Sequence, residues 1–125
     1  MDTFRFSGSY TTRPTSGNPS GDPEIEASID ERVGLANKVI GLYELTTDSP
    51  VSVGLGGLTG ANVVIVKTVG GKARVRLTSS DGTTQAVPVD SLMVLITSSV
   101  AVTAIDLTRG AGVSTTVKVT LGQQV

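Results

Sequence analysis

The chain contains neither histidine nor cysteine, which removes the commonest general base, the commonest metal ligand and every thiolate reaction at once. Nucleophilic catalysis would then fall to the many serines and threonines. A hydroxyl needs an activating base beside it, and neither a G-x-S-x-G elbow nor an S-x-x-K pair occurs. Paired carboxylates are the acid–base chemistry that remains. Glu44 follows Leu42 on one face of an apolar run, and Asp106 stands between Ile105 and Leu107. Glycoside cleavage by such a pair usually uses an aromatic-lined groove, whereas Tyr43 is the sole aromatic residue after position 10. Both acids are therefore read as outward-facing or hydrogen-bonded strand residues. The cluster Asp22, Glu24, Glu26, Asp30 and Glu31 is dense enough to attract calcium but lacks the EF-hand spacing, and it reads as a solvated acidic hinge. In Gly54-Leu55-Gly56-Gly57-Leu58-Thr59-Gly60 a dinucleotide-binding loop would need glycine where Thr59 stands and a helix where Ala61-Asn62-Val63-Val64-Ile65-Val66 reads as strand. No catalytic residue, cofactor site or metal site is assigned, and enzymatic activity is not expected.

The residues that could recognise another surface are better defined. Phe4, Phe6 and Tyr10 share one parity in TFRFSGSY, with Arg5 between the phenylalanines, so an extended backbone would line them along one face. Three of the four aromatic residues thus fall in the first ten positions, and aromatic anchors are enriched where one surface docks on another. Docking on a second chain, folding back onto the same domain and a disordered tip are the alternatives. Docking is favoured, with strand addition to a neighbour's sheet edge as the expected mode. A second candidate is Lys72, Arg74 and Arg76, which alternate with Ala73, Val75 and Leu77. That pattern places three cations on the outer face of one strand, either as a solvated face protecting a sheet edge or as a contact for an acidic surface such as Asp22–Glu31 of a neighbouring copy.

These candidates sit on two parts of opposite charge. Residues 1–31 hold six acids and two bases, a net of −4; residues 32–125 hold five acids and eight bases, a net of +3. Within the first part, TTRPTSGNPSGDP over Thr11–Pro23 is too poor in apolar surface to offset its ordering entropy and reads as a linker. An extended N-terminal arm over 1–31 and a folded domain over 32–125 are expected. No basic run supplies the attraction that nucleic acid requires, so no nucleic-acid partner is expected. The longest strongly apolar run, Leu92–Ile96, is too short to cross a bilayer, and the start of the chain lacks the basic and apolar regions of a signal peptide. A soluble protein made without such a signal is expected.

In the folded part the core must be filled by Val, Leu, Ile and Ala, residues whose branched members favour strands. The apolar runs predict strands over 39–46, 51–55, 62–69, 72–78, 83–89, 92–97, 101–108 and 113–121. Gly70-Gly71 and Asp81-Gly82 read as hairpin turns. Over 113–121 the alternation assigns Val113, Val117, Val119 and Leu121 to the core face. Residues 33–37 are read as a turn or irregular entry. Val63-Val64-Ile65-Val66 and Leu92-Met93-Val94-Leu95-Ile96 are apolar on both faces, which points to oligomer contacts or to cover by the arm or a loop. The fold expected is an all-β antiparallel β-sandwich, jelly-roll or Ig-like, of about eight strands with an extended N-terminal arm.

In texture, Ala86-Val87-Pro88-Val89-Asp90-Ser91-Leu92-Met93-Val94-Leu95-Ile96, with Ala104-Ile105-Asp106-Leu107 and Thr115-Thr116-Val117-Lys118-Val119-Thr120-Leu121-Gly122, resembles the small β-sandwich decoration or cement proteins of tailed bacteriophages. The likeness covers about residues 60–125 and transfers no site residue. It implies a virion protein, often a homotrimer, that binds the major capsid protein or another virion protein and clamps adjacent capsomers with an extended arm. A tail, head-to-tail adaptor or fibre-attachment subunit is the alternative within the virion. A carbohydrate-binding module is the alternative outside it.

Overall fold

The computed structural model describes residues 2–12 and 25–124, with side chains over 3–8 and 30–124. Among these there is no helix. The strands are β1 (Asp2–Thr12), β2 (Ile25–Leu45), β3 (Val51–Ser52), β4 (Val63–Val69), β5 (Ala73–Ser79), β6 (Thr84–Val89), β7 (Leu92–Ile96), β8 (Val102–Arg109) and β9 (Thr115–Gln124). Contacts divide the chain into the units Asp2–Gly34 and Leu35–Val125, so β2 contributes to both. Residues 13–24, which include most of the linker, lie outside the described residues.

In the first unit β1 is hydrogen-bonded to β2. The second unit holds two antiparallel sheets. One has the order β2-β9-β4-β7 and the other β3-β8-β5-β6. The period of two in each strand sends one set of side chains into a shared core. Val64, Val66, Val117, Val119 and Leu121 enter it from the first sheet and Ala73, Val75, Leu77, Val89, Ile105 and Leu107 from the second. Every large residue there is aliphatic. Tyr43 packs at the margin, its ring lying where a Cβ on Gly41 would come within 2.7 Å, while its hydroxyl accepts the Gly54 N–H at 3.1 Å. Glycine at 41 is thus the condition for the tyrosine's position.

The structure departs from the sequence reading at several places. Residues 33–37 hold no turn but are extended within β2; the irregularity expected there is a shift in the register with β9 between Leu35 and Asn37. Leu35 is buried, its methyl groups lying in the space a Gly122 side chain would fill. Val113 is not in the core but 47% exposed. Positive φ at Ala111 and Gly112 holds it in a turn, and buried Thr115 takes the next inward position, its hydroxyl donating to the Val113 and Lys72 carbonyls. Gly70-Gly71 does not close a hairpin, because β4 and β5 belong to different sheets. Asp81-Gly82 does close one, between β5 and β6, with Gly82 at φ 87° and its N–H donating to the Ser79 carbonyl. Finally, β5 is no edge strand. It lies between β8 and β6, so its cations do not serve to guard an edge.

Candidate interaction surfaces

In β1, Thr3, Arg5 and Ser7 are exposed and Phe4 and Phe6 half-buried, the alternation an extended strand imposes. The Arg5 guanidinium donates to Asp30 at 3.2 Å, and Arg32 approaches the same carboxylate oxygen at 3.6 Å. All three side chains are more than half exposed, so the pairs orient the strands more than they stabilise them. Tyr10 belongs to β1, but its side chain lies outside those described. The same holds for the side chains of Asp22, Glu24 and Glu26.

The second candidate lies on the outer face of the four-stranded sheet. Lys72 immediately precedes β5, its ammonium 4.0 Å from the exposed Asp90 carboxylate. Arg74 stands between Pro88 and Thr108 and Arg76 between Ala86 and Asp106 in the pairing registers. Asp106 accepts the Ser52 hydroxyl at 2.9 Å, and neither arginine has an ion-pair partner among the described residues. Both arginines are exposed, with proline and alanine opposite them on one side. Arg109, in contrast, is largely buried and donates to Asp48 at 2.9 Å.

The outer face of the sheet β2-β9-β4-β7 has a different character. Leu42, Lys118, Lys67 and Leu92 form one row across it, and Ile40, Thr120, Ile65 and Val94 the next. Ile40, Leu42, Val69 and Leu92 are 58–68% exposed. One face thus carries four large apolar side chains in water, interrupted by Lys67 and Lys118 directly opposite one another, a pairing that like charges disfavour. Of the doubly apolar runs singled out above, Val64, Val66, Met93 and Leu95 turn inward while Ile65, Leu92 and Val94 turn outward.

No family model, curated protein or solved structure matches this chain.

The chemistry of the surfaces therefore rests on the residues themselves. Glu44 borders a shallow cleft of about 240 Å³ with Thr46, Ser114, Thr115 and Thr116, a carboxylate among hydroxyls. Asp81, fully exposed in the β5–β6 turn, accepts the Thr83 hydroxyl at 2.6 Å and its N–H at 3.0 Å, and these bonds hold its carboxyl below the usual value. Its role is to shape the turn. Sequence reading missed Ile40 and Leu42 as surface residues. The available signal was the pair Gly41 and Tyr43 on the opposite parity, where a glycine making room for a ring marks the packed side.

Proposed function

We propose that this chain is a non-catalytic structural protein of the virion, a sandwich of jelly-roll or Ig-like kind that decorates and stabilises a capsid by docking its N-terminal strands on neighbouring subunits. The observation that carries the reading is the unit Asp2–Gly34, whose described strands are β1 and the first part of β2. A two-stranded ribbon is marginal in water and needs a further surface to become stable. Phe4 and Phe6 on one side of β1 supply anchors for such a surface, and its backbone can extend a neighbour's sheet. The exposed guanidinium groups of Arg74 and Arg76 suit an acidic partner surface. The resemblance to phage decoration proteins supplies the setting, in which a small contact repeated over many copies adds up to a stabilised shell.

The test is co-sedimentation of the full chain with capsid shells stripped of it, beside the double substitution Phe4→Ala and Phe6→Ala. Aromatic anchors at an interface centre are each worth about 2 kcal/mol or more. The double variant is therefore expected to bind at least about a hundred-fold more weakly while the circular dichroism of the folded part is unchanged. Undiminished attachment of a folded variant would overturn the reading.

A further inference from the structure

The sheet edges of this chain are not treated alike. β3 is two residues long. β6 carries Pro88 and begins with exposed Thr84 and Gln85. Shortness, proline and charge are the devices that keep edges from pairing with other chains. β7, Leu92-Met93-Val94-Leu95-Ile96, has none of them, and its one described neighbour is β4. Its five residues are all apolar and all at least partly exposed.

Some backbone groups of this edge have no hydrogen-bond partner among the described residues. The Thr68 N–H donates to the Ser91 carbonyl and the Thr97 N–H to the Asn62 carbonyl, at 2.9 and 2.8 Å. In the antiparallel register of β4 with β7, bonded pairs alternate with non-bonded ones. The bonded pairs between those two ends are therefore Val66 with Met93 and Val64 with Leu95. It follows that the backbone groups of Leu92, Val94 and Ile96 point away from β4, toward the open side.

We infer that this open side pairs with the same strand of a second copy, antiparallel and centred on Val94, so that the sheets of two chains become one. In that register Val94 faces Val94 of the second copy and Leu92 faces its Ile96. The three free N–H groups and three free carbonyls of each strand then meet their complements. The occupant is a second copy because the strand is self-complementary: it holds no charge to repel its twin, and a two-fold contact is the commonest way for identical chains to close. The same pairing covers the half-exposed Met93 and Leu95 and places Leu92 and Val94 beside their counterparts. The inference concerns the unit Leu35–Val125 alone and holds whether or not the N-terminal strands attach to a capsid.

Sedimentation equilibrium of the full chain tests it, beside Val94→Pro and Val94→Lys. Proline at 94 removes an N–H that points away from β4, so the ladder within the chain survives. Lysine there places charge on the edge and serves as the second variant should proline unfold the strand. The full chain is expected at twice its 12.8 kDa mass, and both variants at the mass of one folded chain. A single-chain or three-chain mass for the unaltered protein, or a two-chain species that survives in both folded variants, would overturn the inference. Loss of the pair on removing residues 1–12 with β7 intact would also overturn it, by assigning the edge to the N-terminal strand.

Discussion

β6 and β7 are consecutive strands with only Asp90 and Ser91 between them, and each ends the order of its sheet. β6 meets solvent with threonine, glutamine and a proline; β7 meets it with leucine, methionine, valine and isoleucine. The contrast continues over the faces behind them. Outside β6 the sheet presents Arg74, Arg76, Thr108 and Asp106, whereas outside β7 it presents Ile65, Ile40 and Leu42. One sheet presents charged and polar side chains to water and the other large apolar ones. Apolar content alone does not separate a core strand from an edge strand. Position in the sheet order does.

Four substitutions sharpen this division, beginning with the largest effect and its surface control. Leu107, fully buried, should cost about 2–5 kcal/mol as Leu107→Ala because the surrounding core closes only partly around the cavity. Leu42→Ala on the outer face should change monomer stability by no more than about 0.5 kcal/mol. Denaturant unfolding at low protein concentration compares the two, and equal losses would erase the distinction between core and contact face. Gly41→Val places a branched side chain where the Tyr43 ring lies, and overpacking of this kind costs about 1–3 kcal/mol. Its signature should be a loss of near-ultraviolet ellipticity from Tyr43. Thr68, buried with a hydroxyl that has no hydrogen-bond partner among the described residues, should gain about 1 kcal/mol as Thr68→Val, since an apolar replacement of the same shape relieves an unmet polar group.

Asp81 adds a pH dependence in the turn beside the polar sheet. Its folded-state pKa is lowered by the Thr83 hydroxyl and then by the Thr83 N–H. The associated stability is therefore present above the unfolded-state pKa and is lost as pH falls through the folded-state one. The difference in stability between the unaltered chain and Asp81→Asn should be steady near neutrality and shrink below about pH 4. A difference independent of pH down to acid unfolding would show that the turn draws nothing from the carboxylate.

Much of the strand pattern was legible because aliphatic residues alternate with polar ones where one face is buried. Val75 and Leu77 between Arg74 and Arg76 are an example, and so is the odd-numbered set Val117, Val119 and Leu121. Legibility failed where a long-range partner decides the outcome. Gly70-Gly71 has the composition of a hairpin turn, but its flanking strands find partners in different sheets. Val113 obeys the alternation of β9, yet the turn at Ala111 and Gly112 removes it from the ladder. The first part of β2 is extended although Ile25 and Ile29 are too sparse to announce a strand. Of the candidate site residues, the outward direction of Arg74 and Arg76 could be read from period two. The interior position of β5 and the open edge of β7 could not, because edges are defined by sheet order and not by local pattern.

The division between the two sheets is tested most directly by amide hydrogen exchange at Leu92, Val94 and Ile96 over a dilution series of the full chain. The free-edge amides of β6 serve as an internal reference. Exchange at the three β7 amides is expected to slow by orders of magnitude as concentration rises, while the β6 edge remains unchanged. Fast exchange at Val94 at every concentration, or equal slowing at both edges, would contradict the account.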